Sequence, residues 1–146
     1  MQTKIIGKII DLFVSDKTLG RSTKDNITLN IGGVIDDKFY GKDIQRSVLI
    51  TSLISYDLTK QNNIEISYGD LGENILIDYN PYNLQDGTKL QIGEVILEIS
   101  QHCTLCKSLA KVDKNLPKLL KEHRGVFAKV IKNGQINKND KLYLVA

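Results

Sequence analysis

Apolar residues fall in short blocks separated by turn residues, a pattern that predicts many short strands. Lys4 to Val14, dominated by Ile, Leu, Phe and Val, predicts a strand, and the polar stretch Ser15 to Asp25 reads as a loop. Ile27, Leu29 and Ile31 alternate with Thr28 and Asn30, so a strand is expected to run to Ile35. Gly32-Gly33 marks a bulge or a close backbone approach within it. Asp36 to Gln45 is again polar, and Ser47 to Thr51 predicts a short strand. Ser52 then caps a short helix through Lys60. Ile64 and Ile66 alternate with Glu65 and Ser67, a short strand; Gly69 to Gly72 is a turn, and Asn74 to Ile77 resumes strand character.

After a loop at Asn80 to Asn83 and a turn at Asp86-Gly87, the runs Thr88–Ile92 and Val95–Ile99 flank Gly93-Glu94 as a hairpin. His102 to Leu120 reads as helix in two pieces, broken near Pro117 or at Asp113. Gly125 to Ile131, Ile136 and Lys141 to Val145 supply the last strands, with a turn at Asn133-Gly134. Eight or nine short strands with two or three short helices predict a mainly β fold, a barrel or sandwich rather than alternating βα units. There is no internal repeat and no polar linker, so the whole chain, 1–146, is expected to be one domain.

Length agrees: 146 residues is ordinary for one domain and long enough to form a core without disulfides or a structural metal. A composition 41% hydrophobic and 25% charged excludes intrinsic disorder. No apolar stretch approaches the roughly 18 residues of a membrane span. Charges interrupt the run after Met1 where a signal peptide needs its apolar centre, so the expected location is the cytoplasm, with no membrane partner. The 20 basic and 17 acidic residues are spread along the chain, aromatics make up only 6%, and Trp is absent. A nucleic-acid surface concentrates its basic residues with aromatics between them, so no nucleic-acid partner is expected and a small anionic ligand fits the balance better.

The only cysteines are Cys103 and Cys106, in His102-Cys103-Thr104-Leu105-Cys106-Lys107. Their spacing suits a redox dithiol, although the β-rich surroundings lack the βαβ context of that motif. It also suits a zinc site completed by His102 or His123, although a second CxxC or HxxxH is missing. A third reading is a single reactive thiolate supported by Lys107 and a helix N-terminus, and the plainest is a pair of inert, half-buried thiols. Gly69 to Ile75 is the other notable segment: two glycines allow a tight turn close to a ligand, and Glu73 and Asn74 offer an acceptor and a mixed donor and acceptor. Asp36-Asp37-Lys38 after Gly32-Gly33 has two adjacent carboxylates, which usually face water. Arg46 and Arg124, each just before an apolar run, suit either a clamp on phosphate or carboxylate or a snorkelling surface position.

The order of these pieces is itself informative. Gly33-Val34-Ile35-Asp36-Asp37-Lys38 precedes Arg46-Ser47-Val48-Leu49-Ile50 and Gly69-Asp70-Leu71-Gly72-Glu73-Asn74-Ile75. Then come Leu90 to Ile99, Cys106-Lys107-Ser108-Leu109, Arg124 to Val130, and Asn139-Asp140-Lys141-Leu142. This succession, from about Ile5 onward, resembles the MOSC domain, named for the C-terminal part of molybdenum cofactor sulfurase, as a stand-alone small member. The resemblance implies a β-barrel-like fold of the pyruvate-kinase-type architecture and a pterin–molybdenum cofactor. By its match to the family cysteine, Cys106 would ligate molybdenum or carry sulfur as a persulfide. Lys38, Arg46 and Arg124 would hold the cofactor phosphate, and Gly72, Glu73 and Asn74 would shape the pocket.

Enzymatic members reduce N-hydroxylated compounds. The chain has no flavin or iron–sulfur motif, so a separate electron-donor or sulfur-donor protein is implied. The alternatives are a non-enzymatic carrier or sensor of the cofactor or of sulfur, and a zinc-stapled β-domain using Cys103 and Cys106. Asp36 stands where the family has Gly, Phe39 where it has His, and Asn139 where it has Gly. A carboxylate at Asp36 is thus expected beside the phosphate, where it would repel it.

Overall fold

The computed structural model describes residues 3–16, 18, 20–103, 109–110 and 113–145. Its strands are β1 (Thr3–Asp16), β2 (Gly20–Lys24), β3 (Asn26–Asn30), β4 (Gly33–Val34), β5 (Val48–Ser52) and β6 (Ile75–Ile77), followed by β7 (Lys89–Ile92), β8 (Val95–His102), β9 (Val126–Lys132), β10 (Gly134–Asn137) and β11 (Lys141–Val145). Helices α1 (Leu53–Gln61) and α2 (Leu116–Leu119) and a 3₁₀ turn at Ile44–Arg46 complete the described elements.

Seven strands close a barrel in the order β11-β7-β8-β9-β5-β6-β1, because β1 also pairs β11. Closure removes the exposed edges that an open sheet would leave. β1 makes it possible by its length. Its first half lies against β11, and after register shifts at Ile5/Gly7 and Ile9/Asp11 its second half lies against β6 and β2. A three-stranded sheet, β10-β3-β4, packs beside the barrel.

Burial explains the sequence pattern. β8 and β9 alternate buried and half-buried positions, with Leu97, Ile99, Val126 and Ala128 fully buried in the barrel interior. β5 and β6 form a parallel pair and are buried at every position, because they have a core on both faces. Ile50, Ile75 and Ile77 face the barrel core, whereas Leu76 joins a second cluster with Tyr56, Leu71, Leu116 and Leu120. Helix α1 is the crossover that a parallel pair needs, and the Ser52 hydroxyl caps it by accepting from the Ile54 amide at 3.2 Å.

Several expectations are corrected. Eleven strands are present among the described residues rather than eight or nine. The polar stretch after Ser15 contains β2, which pairs β1 from Leu12 to Asp16 and is exposed along most of its length, so it shows no apolar alternation. Ile64 to Ile66 is not a strand; Ile64 is buried in the second cluster instead. His102 ends β8 and does not begin a helix. At Gly32-Gly33 the chain turns from β3 into β4, and the close approach is present there: a Cβ on Gly33 would lie 2.9 Å from Ser47 Cβ and 3.0 Å from its carbonyl oxygen. That contact seats the segment after β4 against the start of β5, and the candidate site forms in that region.

Candidate anion site

One cavity of about 430 Å³ opens where the ends of β5, β8 and β9 meet the loop that follows β4. The chain has only three arginines, and all three line it: Arg21 from β2, Arg46 from the 3₁₀ turn and Arg124 just before β9. Lys38 and Lys42 add two more cations, and Asp43 is the one carboxylate among the lining residues. Asp43 is itself committed, capping the 3₁₀ turn by accepting from the Gln45 amide at 3.0 Å. Phe39, Leu49 and Phe127 supply apolar wall, and the Arg46 guanidinium stacks 4.7 Å above the Phe127 ring.

The two inner arginines are held by main chain. Arg124, 7% exposed, donates from Nη2 and Nε to the Leu71 carbonyl at 3.1 and 3.4 Å. Arg21 donates from Nη1 to the Glu73 carbonyl at 2.7 Å. Gly72 lies between them: a Cβ there would stand 3.5 Å from Arg124 Nη2 and 3.8 Å from Arg21 Nη2. The ion pairs among the described residues, Lys129–Glu98 and Lys138–Asp11, involve no residue of this cavity. Burial pushes the Arg21 guanidinium below its ordinary value; Glu73, Asp37 and Tyr56 oppose the fall and Arg124 adds to it. Two like charges this close carry a Coulombic penalty that an anion between them would relieve.

Of the residues expected from the sequence to bind a cofactor, Lys38, Arg46, Gly72, Asn74 and Arg124 come together on this cavity. Glu73 does not line it. Its fully buried carboxyl accepts at Oε2 from the Tyr56 hydroxyl at 2.6 Å and from the Gly69 amide at 3.2 Å. Asn74 lines the cavity, but its amide is spent on the scaffold: Oδ1 accepts from the Leu49 amide, and Nδ2 donates to the Phe13 carbonyl and to Asp37. Asp37 is buried, unlike the solvated pair expected, and accepts from the Ser15 and Phe39 amides at 2.8 and 3.1 Å. Asp36 is exposed and lines a neighbouring surface depression, which shares Lys38 and Lys42 with the cavity, rather than the cavity itself.

Cys106 and Lys107 lie outside the described residues. Cys103 is buried on the cavity wall, its amide donating to the Gly125 carbonyl at 3.0 Å. It also borders a second cavity of about 350 Å³, lined by Tyr82, His102 and His123 among others. A ring nitrogen of His102 pairs with the Tyr82 carbonyl at 2.8 Å. Among the described residues no group of three or more His, Cys, Asp or Glu side chains could hold a metal ion.

Arg21 and Lys42 were not singled out from the sequence, because both sit in polar stretches that read as solvated loops. The usable signal was scarcity: a chain with 17 lysines and 3 arginines has placed its arginines for a reason other than solubility.

The sequence profile of the MOSC domain matches residues 30–143, most of the chain and every segment of the cavity wall except β2. The chain belongs to the MOSC domain family. That family is linked to binding or sulfuration of the molybdenum cofactor. Solved structures share the MOSC fold. The YuaD protein from Bacillus subtilis superposes with a TM-score of 0.80 at 14% identity, covering 98% of this chain and 97% of its own. YiiM from Escherichia coli gives 0.73 at 18% identity, covering 98% and 71%, and YiiM from Geobacillus stearothermophilus gives 0.68 at 15%, covering 99% and 76%. No curated protein matches by sequence. In this MOSC domain no described helix is long and apolar enough to cross a membrane.

Proposed function

We propose that the chain binds the pterin–molybdenum cofactor in the arginine-lined cavity and uses Cys106 as the metal ligand or sulfur carrier. The observation that carries this reading is the gathering of all three arginines and two lysines around one cavity with one carboxylate on its wall, in a family linked to that cofactor. The donor set fits the group. Guanidinia suit a terminal phosphate bidentately, and thiolates are soft donors for such a metal. Cys103 stands on the wall, and the three residues from it to Cys106 span at most about 11 Å.

When bound, the cofactor would supply two-electron chemistry at a sulfur-ligated metal. In the enzymatic version an N-hydroxylated substrate takes up two electrons and two protons and leaves as the amine and water, the electrons coming from a separate reductase. The chain's own work is electrostatic. Arg21 and Arg124 neutralise the phosphate in a site partly shielded from water, Lys38, Lys42 and Arg46 draw the anion in, and Phe39, Leu49 and Phe127 shape an apolar wall.

The test is elemental analysis of the full chain produced in a host that makes the cofactor. Molybdenum and phosphorus approaching one per chain are expected, falling several-fold in Arg124→Gln and lost in Cys106→Ser, with Cys103→Ser retaining metal. Wild-type protein without molybdenum overturns the reading. Metal without turnover of a hydroxylamine-type substrate assigns the chain as a carrier, and stoichiometric zinc in place of molybdenum assigns the zinc-stapled alternative.

A further inference from the structure

Helix α1 carries a buried phenol directly behind the cavity wall. The Tyr56 hydroxyl donates to Glu73 Oε2 at 2.6 Å and accepts from the Gly69 amide at 2.9 Å, with the Leu71 amide 3.4 Å away. Glu73 Oε2 takes the Gly69 amide as well, at 3.2 Å. Phenol and carboxyl thus clip the turn from Gly69 to Glu73 from its core side, where Gly69 and Gly72 hold positive φ of 95° and 89°. The other side of that turn offers the carbonyls of Leu71 and Glu73, which hold Arg124 and Arg21. Neither Tyr56 nor Glu73 lines the cavity. Keeping a carboxyl here is costly: Glu73 is fully buried, and its Oε1 is without a hydrogen-bond partner among the described residues.

We propose that Tyr56 and Glu73 are positioning residues: by fixing the turn from Gly69 to Glu73 they set the two carbonyls that hold Arg21 and Arg124 on either side of Gly72, presenting a preset pair of guanidinia to a phosphate-sized oxyanion. The inference rests on the anion-binding reading of the cavity. Its physical content is preorganisation. A guanidinium already fixed by a carbonyl loses less freedom when the anion arrives, and a neutral carbonyl does not neutralise it as a directly paired carboxylate would.

The test uses the purified full chain with inorganic phosphate as probe, affinity by calorimetry at low ionic strength, and thermal unfolding in parallel. Tyr56→Phe removes the hydroxyl that joins α1 to the turn, and phosphate affinity is expected to fall about tenfold. Glu73→Gln keeps an acceptor for the hydroxyl and the Gly69 amide, and is expected to stay within about threefold of wild type. In an Arg21→Gln, Arg124→Gln background Tyr56→Phe should cause no further loss, because the groups it positions are gone.

Wild-type affinity in Tyr56→Phe with only a lower Tm overturns the proposal, since that is what a purely structural residue would do. Losses that multiply in the triple variant also overturn it. Should Tyr56→Phe fail to fold, Glu73→Leu, which removes the acceptor shared by the hydroxyl and the Gly69 amide, takes its place. A loss of about tenfold is then expected, and wild-type affinity in the folded variant overturns the proposal. Wild-type protein that binds no phosphate removes the anion reading itself, a different failure from an unaffected Tyr56→Phe.

Discussion

Glu73 shows how little a residue type says about which of its atoms face a ligand. The segment Gly-Glu-Asn reads as a carboxylate and an amide waiting at a pocket, yet both side chains are consumed by the scaffold and only main chain and Gly72 serve the cavity. The side chain also sets a pH signature. Burial raises the Glu73 carboxyl above its ordinary 4.5, the Tyr56 hydrogen bond being the largest opposing influence. A carboxyl raised in the folded state contributes stability that is fully present below its unfolded pKa and lost as pH rises through the folded one. The charged or titratable groups around it, Arg21 and Tyr56, hold their protonation across that window. Glu73→Gln cannot titrate, so its stability relative to wild type is expected to increase from about pH 4 upward, checked by urea unfolding at a series of pH values. A difference that stays constant with pH would sink the claim. Arg21 is the converse case: its type was informative, but nothing local marked it, because its role depends on a strand pairing and a turn 52 residues away.

Elements were legible where local chemistry decides them. Ser52 followed by a short helix is such a case, and the cap is made as expected. Ser52→Ala is expected to cost about 1 kcal/mol, because it leaves the Ile54 amide without its acceptor at a buried helix start. Urea unfolding with an unchanged m-value would check it, and a loss below about 0.3 kcal/mol would show that the cap is dispensable. The hairpin Lys89 to His102 was legible for the same reason, a turn flanked by alternating residues. β2 was not, because its partner rather than its own pattern makes it a strand: an exposed ribbon pairing β1 over five residues needs no apolar face. Ile64 to Ile66 failed in the opposite sense. Alternation over three residues was met by burial of Ile64 in the second cluster with Ile66 packed against it, and among the described residues no strand pairs with the segment.

At the scale of the molecule, barrel closure brings together cations that are far apart in sequence. Arg21 on β2, Arg46 in the 3₁₀ turn and Arg124 just before β9 come from three separate stretches of the chain, and the route that joins them runs through the β1–β2, β1–β6, β5–β6 and β5–β9 pairings. Mainly β character was readable from the pattern; this convergence was not, since it follows from strand order, and strand order is set by long-range closure rather than by any local run. The folded state therefore confines like charges that the unfolded chain keeps apart, and the proposed anion site predicts a measurable consequence. An oxyanion that binds only the folded chain stabilises it by mass action, about 2.7 kcal/mol when present at 100 times its Kd. For a chain of this length that is roughly 5–10 °C in Tm. Phosphate is expected to raise the Tm of the wild-type protein by this order, and chloride at matched ionic strength by much less, because chloride screens but cannot bridge two guanidinia. Arg124→Gln should abolish the difference between the two salts while leaving the response to ionic strength in place. Equal shifts with phosphate and chloride in the wild type would mean that the five cations act only as a diffuse field, and the cavity would then have no claim to a bound anion.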